Sequence, residues 1–263
     1  MFRNEIYDRC YIKDENLDKI ENIRYGFTTA MGGFSTGKIK GLNLGFRVGD
    51  DRESVIQNYR TAADDLELTY ENMVLARQTH TDNIRVVTKA DCGKGLTKES
   101  DIFDTDGLIT NEKNIPLVIF SADCIPVLIA AKDGSAIGAV HAGWRGTKMK
   151  IPKKAVLLME KNYGVNPENI VAAIGPGIGP CCFEVGGEVA AEFDEKFVTQ
   201  KGGGKFYVDL WQANFDSLLE AGVPKENISI AKICTKCSSD MFYSYRAHKE
   251  KTGRQGAIIE IAK

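Results

Sequence analysis

Short apolar runs rich in branched residues constrain this chain's fold more than any other feature. They occur at Met73–Ala76, Ile84–Val87, Leu117–Phe120, Val127–Ala131, Ala136–Val140, Ile170–Ile174, Ile228–Ile233 and Ala257–Ile261. Runs of this length, bounded by turn-forming residues, read as strands. Helical periodicity is clearest at Glu53–Leu66, Met149–Tyr163, Glu188–Phe197 and Leu210–Ala221. Strand and helix signals interleave without strict alternation, which favours a mixed sheet over a doubly wound parallel one. The weakest region, Lys201-Gly202-Gly203-Gly204-Lys205, reads as a flexible turn, because strong signals continue on both sides. One domain over residues 1–263 is therefore expected.

At 263 residues, with 43% hydrophobic and 27% charged residues, the chain is long enough to bury a substantial core. Its formal net charge of -2 provides no broad basic surface for nucleic acid. The charged N-terminal stretch lacks an apolar run of signal-peptide type, and no stretch is apolar enough to span a bilayer. The expected location is the cytoplasm. Seven cysteines, two of them adjacent at Cys181 and Cys182, do not resemble a small secreted scaffold, so reduced thiols are the simpler reading.

The chemistry concentrates in Gln78-Thr79-His80, Ala122-Asp123-Cys124 and Val140-His141-Ala142-Gly143-Trp144-Arg145-Gly146. Two of the chain's three histidines lie in these stretches, each near the end of an apolar run. Imidazole and thiolate suit a borderline-soft metal such as zinc. His80, Cys124 and His141 would fill three tetrahedral positions and leave the fourth open, the pattern of a catalytic zinc. Each residue alone has a bland alternative, a small apolar core cysteine or a hydrogen-bonded histidine. Their separations are not local ligand spacings, so the site needs the fold to bring distant strand ends together.

Other motifs leave alternatives open. Gly175-Pro176-Gly177-Ile178-Gly179-Pro180 offers either an anion cradle or a rigid turn. It lacks the Gly-Lys-Ser/Thr ending of a nucleotide P-loop. Cys234-Thr235-Lys236-Cys237 is half of a zinc site or a redox pair; with no second Cys-x-x-Cys to complete it, a supporting structural role is favoured. His248 reads as solvated surface. Arg145 and Arg246 either grip phosphate through a planar fork or make an ion pair that fixes a turn. Asp123 either orients a ligand or serves as acid or base, although strand alternation would point it away from Cys124.

Several longer motifs occur in a telling order. They are Leu42-Asn43-Leu44-Gly45, Val48-Gly49-Asp50-Asp51, the Gln78, Cys124 and His141 stretches, Ile174–Gly186, Cys234-Thr235, Phe242-Tyr243-Ser244-Tyr245-Arg246 and Thr252-Gly253-Arg254-Gln255-Gly256. Together they resemble the bacterial laccase-domain family, long labelled multi-copper polyphenol oxidoreductase. Its members are described as purine nucleoside phosphorylases with adenosine deaminase activity, and some as peptidoglycan editing factors. The resemblance runs over residues 24–261. It implies an α+β fold, a four-layer α/β/β/α sandwich with mixed sheets. It implies that His80, Cys124 and His141 are both metal ligands and catalytic residues. It also brings Asn43 and Gln78 beside Arg145 and Arg246 as substrate- or phosphate-binding residues. The chain departs from the family at Thr81, where a glycine is usual, and at Ala247, where a second arginine is frequent.

The function expected from this resemblance is zinc-dependent phosphorolysis of adenosine, inosine, guanosine and methylthioadenosine, with adenosine deamination. The partners are then a purine nucleoside and phosphate, with neither nucleic acid nor membrane. A rival reading pairs Cys124 with His141 as a metal-free amidase that removes misincorporated serine from peptidoglycan precursors. A copper polyphenol oxidase ranks lower, because three histidines cannot supply a multi-copper cluster. A binding protein with a structural metal would instead need a closed four-ligand site.

Overall fold

A computed structural model describes residues 2–6 and 10–262. Strands β1 (Phe2–Ile6), β2 (Cys10–Asp14), β3 (Ile23–Thr28), β4 (Val74–Leu75), β7 (Leu117–Ser121) and β15 (Gln255–Ile261) belong to one sheet. Strands β5 (Ile84–Val86), β6 (Gly107–Thr110), β8 (Ile125–Ala131), β9 (Ile137–Ala142), β10 (Ile170–Ile174) and β14 (Ile228–Ile230) form the second. The spatial orders are β1-β2-β3-β15-β7-β4 and β14-β10-β8-β9-β6-β5. Both sheets are mixed: β4–β7, β5–β6 and β10–β14 pair parallel, and the other pairs antiparallel. A small antiparallel ribbon of β11 (Glu184–Val185), β12 (Val198–Gln200) and β13 (Phe206–Val208) lies apart from them.

Alternation along the strands builds the layers. In β15, Ala257, Ile259 and Ile261 turn inward to meet Leu128, Ala130 and Ala139 of the second sheet. Ile258 turns outward and packs under α1 (Arg52–Leu66) with Val55, Tyr59, Ala62 and Leu66. On the far side, Val127, Ile129, Ala172 and Ile174 pack against α3 (Ile151–Tyr163) and α5 (Leu210–Leu219). The result is the expected sequence of helix, sheet, sheet and helix. Two short helices, α4 (Gly187–Ala190) and α6 (Tyr245–His248), and one turn of helix, α2 (Trp144–Lys148), sit in connections.

Local chemistry sets the helix limits. The Asp51 carboxylate accepts the Ser54 N–H at 2.9 Å and starts α1. Pro152 sits in the first turn of α3, and Gly164 ends that helix in the left-handed region.

Three expectations change. The periodic run Met149–Tyr163 is interrupted by Lys150, whose positive φ of 57° separates α2 from α3. The helix expected at Glu188–Phe197 lasts only from Gly187 to Ala190, because the chain turns at extended Asp194 to pair β12 with β13. Pro126, a residue type expected to interrupt regular pairing just after Cys124, lies inside β8. Its carbonyl accepts the Gly175 N–H at 2.8 Å, just past the end of β10 at Ile174, so its missing N–H costs only the terminal bond of the β8–β10 ladder. Strands β1, β2, β3, β6, β11, β12 and β13 are not among the runs read from the sequence; charged and polar residues interrupt the first three, β6 has only Leu108 and Ile109 as large apolar residues, and the ribbon strands are two or three residues long.

Phe27 of β3 is buried between the sheets, and its ring fills the space beside Gly175. Phe27→Ala is expected to lower unfolding free energy by about 3–5 kcal/mol. Urea denaturation checks this; a loss below about 1 kcal/mol would contradict the packing described.

Candidate metal centre

Two passages of the chain between the sheets create the site. One leaves β4 in the first sheet, carries Gln78 and His80, and enters β5 in the second. The other is the tight turn from β7 to β8, which carries Asp123 and Cys124. His141 lies within β9, beside β8 and opposite Pro126. The imidazole nitrogens and the thiol sulfur of His80, Cys124 and His141 all lie within 4.8 Å of one another. The two imidazole rings meet edge to face at 5.0 Å between centroids. His141 is buried, Cys124 partly so, and His80 exposed, which leaves the cluster open on one side.

Asp106 organises this cluster, and it was not among the residues singled out from the sequence. It is fully buried at the start of β6. One carboxylate oxygen accepts the His141 Nδ1–H at 2.7 Å and the His80 N–H at 3.0 Å. The other accepts the N–H groups of Thr79 at 3.2 Å and Thr81 at 2.8 Å, and the Thr81 hydroxyl at 2.8 Å. Holding Nδ1 in this way leaves His141 Nε2 for the cluster, the usual support for a metal-ligating histidine. Burial opposes the Asp106 charge, but the His141 ring and the Thr81 donors hold its carboxyl down to about 2. Thr81, the departure from the family's glycine, thus contributes a hydroxyl to this anion.

The ligand turns are strained and braced. His80 has φ of 65° and Asp123 has φ of 91°, both in the left-handed region. The Asp106 carboxylate compensates the first. Asp123 accepts the Thr235 hydroxyl at 2.7 Å and the Arg246 N–H at 2.6 Å, so both its oxygens brace the turn. Burial pushes the Cys124 thiol up, but His141 and then His80 draw it down to about 6. Burial likewise opposes charge on His141, while Cys124 and Asp106 draw its imidazole up to about 9. An anionic sulfur beside two imidazoles is a donor set that fits a borderline-soft divalent ion. Such an ion would take the place of the proton held between Cys124 and His141.

The cluster lies in the wall of a pocket of about 940 Å³, within the range of small-molecule sites. Phe46, Phe103, Phe120, Trp144, Phe183 and Tyr245 supply aromatic surface. Arg47, Arg52, Arg77, Arg145, Arg246 and Arg254 supply positive charge, against only two acidic lining residues, Glu99 and Asp123. The Arg145 guanidinium stacks on Trp144 at 4.3 Å and meets no carboxylate at ion-pair distance among the described residues. Arg246 lies over Phe183 and donates to the Glu184 carbonyl at 3.0 Å. Gln78 lines the pocket, but its amide is already committed to both the N–H and the carbonyl of Phe120, each at 2.8 Å.

Asn43 is not brought to the pocket. It is fully buried, and its side-chain oxygen accepts the N–H groups of Gly45 and Arg254, each at 2.9 Å. Its contribution is to place Arg254, a pocket residue carried by the Thr252–Gly256 motif but not singled out within it. The Gly175–Pro180 segment is a packed turn and not an anion cradle. The N–H groups of Gly175, Gly177, Ile178 and Gly179 are taken by Pro126, Ile233, Asp123 and the Cys234 sulfur. His248 is exposed, as expected.

Gly143 allows the ligands to converge. A Cβ there would lie 2.8 Å from His80 Cδ2 and 3.2 Å from the Cys124 sulfur. Gly143→Ala is therefore expected to weaken metal binding about tenfold or more, which corresponds to ~1.4 kcal/mol. Competition with a chromophoric chelator measures the effect; unchanged affinity would contradict this close approach.

Comparisons with known proteins agree with this architecture. The purine nucleoside phosphorylase YlmD of Geobacillus stearothermophilus is 37% identical over 242 residues, covering 89% of this chain and 88% of the relative. The adenosine deaminase RL5, from an unknown prokaryotic organism, is 33% identical over 222 residues, covering 81% and 84%. The crystal structure of YlmD from Geobacillus stearothermophilus superposes with a TM-score of 0.92 at 34% identity, covering 100% of this chain and 99% of that one. A family model described as multi-copper polyphenol oxidoreductase laccase matches residues 24–262, and the chain belongs to that family.

Proposed function

We propose that this protein is a zinc-dependent purine nucleoside phosphorylase that also deaminates adenosine. The observation that carries the reading is the convergence of His80, Cys124 and His141 in the wall of a cationic, aromatic pocket. Relatives named as purine nucleoside phosphorylase and adenosine deaminase support the substrate class. Adenosine, inosine, guanosine and methylthioadenosine share a planar purine, which aromatic side chains accommodate face-on or edge-on. Activity on methylthioadenosine needs only a tolerant ribose pocket. No helix of the described residues is long and apolar enough to cross a membrane. We place the enzyme in the cytoplasm, acting as one domain.

His80, Cys124 and His141 would hold the zinc, with Asp106 fixing the His141 ring. When bound, zinc supplies Lewis acidity at the coordination position that three protein ligands leave open. In phosphorolysis, a phosphate oxygen forms a bond to ribose C1′ while the C1′–N9 bond breaks and its electron pair leaves with the purine. The base then takes up a proton. The protein's part is to hold phosphate in line and to balance its charge. Arg145 is suited to this task, because its guanidinium, stacked on Trp144, lines the same pocket without a carboxylate partner among the described residues. In deamination, water adds at C6 of adenine and ammonia leaves, giving inosine.

A second reading has a specific observation behind it. With its thiol drawn down and its neighbouring imidazole drawn up, the Cys124–His141 pair also suits a metal-free thiolate nucleophile and imidazolium that hydrolyse an amide, the imidazolium protonating the leaving amine and the resulting imidazole acting as base toward water, as in editing of peptidoglycan precursors. That reading leaves His80 without a task, although it meets the same sulfur. The copper oxidase reading remains the poorest fit, since the third histidine, His248, is exposed and is neither in the cluster nor in the wall of the pocket that holds the other two.

Metal analysis followed by incubation with adenosine, with and without phosphate, separates these readings. Zinc together with phosphate-dependent release of adenine, and inosine formation without phosphate, are the expected results. A metal-free protein inert toward nucleosides would overturn the proposal. Arg145→Ala is expected to raise the phosphate concentration needed for inosine phosphorolysis about tenfold or more, since a charge-assisted hydrogen bond contributes roughly 1.5–3 kcal/mol. Zinc content should not change. An unaltered phosphate dependence in a folded variant would remove Arg145 from phosphate binding.

A further inference from the structure

We propose that Cys181, Cys182, Cys234 and Cys237 hold a second zinc ion in a closed four-thiolate site that locks one wall of the pocket. The four sulfurs lie within 4.8 Å of one another, although more than fifty residues separate the two pairs. The Cys237 sulfur is 3.6 Å from that of Cys181 and 3.4 Å from that of Cys182. A tetrahedral ion with Zn–S bonds of about 2.3 Å sets its sulfurs about 3.8 Å apart, so one ion fits this group. A disulfide needs about 2.05 Å, well short of either separation. A cluster of several irons would hold its cysteines farther apart than a single ion does.

The buried member of the group is held in place by backbone donors. Cys234 is buried, and its sulfur accepts the Gly179 N–H at 3.2 Å and a backbone hydrogen bond from Cys237. Backbone donors aimed at a sulfur stabilise its anionic, metal-ligating form. Four thiolates at this separation would need a cation among them. On binding, each thiol releases its proton to solvent and gives a lone pair to the ion. With all four positions filled by protein, the site is structural and takes no substrate.

Its place in the fold explains what it would do. The ion would clamp the Gly175–Cys182 turn to the Cys234–Cys237 turn. Thr235, between the two ligands of the second turn, braces Asp123 beside Cys124. The Cys182 and Glu184 carbonyls receive the Arg246 guanidinium, at 3.4 Å and 3.0 Å. Phe183, next to Cys182, lines the pocket with Arg246. The clamp therefore positions pocket residues without touching the substrate.

Zinc per chain, measured by elemental analysis and native mass spectrometry, tests the proposal without reference to activity. Wild-type protein purified under reducing conditions should hold two equivalents. Cys124→Ala should keep one, and Cys181→Ser/Cys237→Ser should keep one. Cobalt substituted into Cys124→Ala should show the intense visible bands of a tetrahedral four-thiolate ion. If the double variant folds poorly, alkylation of the wild type decides: these four cysteines should resist the reagent until a chelator is added. A single wild-type zinc that Cys124→Ala abolishes and the double variant retains would overturn the second site. A Cys182–Cys237 disulfide with no second zinc would also overturn it. Retention of both equivalents in Cys124→Ala would count against the His80–Cys124–His141 centre and not against this one.

Discussion

The buried Asp106 carboxylate is the constraint on which the candidate centre depends. A lone buried anion is costly, and this one is accommodated by five donors, four of them from Thr79, His80 and Thr81 and one from the His141 ring. The same bonds that satisfy the charge shape the centre. Three successive N–H groups turn toward one carboxylate, which holds His80 in the left-handed conformation that its side chain would otherwise avoid. The backbone also joins the two elements, since the His141 N–H donates to the Asp106 carbonyl at 2.7 Å. Removing the charge would leave several donors unmatched in the interior and would release both histidines together.

The remaining parts act on this anchor. The β7–β8 turn brings Cys124 across from the other sheet, and Thr235 and Arg246 brace Asp123 in the strained position before it. Gly143 leaves the space into which His80 and the Cys124 sulfur converge. Gln78 joins its loop to β7 through Phe120, and Asn43 joins the Leu42–Gly45 segment to Arg254. These polar side chains build the wall against which the arginines and aromatic rings are set. Residues from several distant parts of the chain are thus held rigidly, as a site for a small planar substrate requires.

Much of this was legible in the sequence. Long apolar runs such as Val127–Ala131 and Ala257–Ile261 announce their strands, because both faces of each are buried. The residue types at His80, Cys124 and His141 indicate metal chemistry before any fold is known. What stayed hidden depends on contacts between remote positions. Asp106, in Asp104-Thr105-Asp106-Gly107, looks like an ordinary polar turn before a short strand; only β6 beside β9 reveals its partner. Asn43 reads as a substrate residue from its motif, yet its hydrogen bonds are all spent inside the protein. The Cys234-Thr235-Lys236-Cys237 pair lacks a second Cys-x-x-Cys, and its neighbours are instead the adjacent Cys181 and Cys182. Gly175–Pro180 has the composition of an anion loop, but its N–H groups are occupied by the packing around it.

Zinc affinity of Asp106→Asn tests the central dependence most directly. The amide keeps the size of the carboxylate but loses the charge and one acceptor oxygen. Supporting groups of this kind typically contribute about 10–100-fold to metal affinity. The variant should therefore bind zinc at the His80–Cys124–His141 centre about 10–100-fold more weakly than wild type, in a chelator competition performed on folded protein. Wild-type affinity in a folded Asp106→Asn protein would show that the centre forms without its buried anion, and would contradict the account.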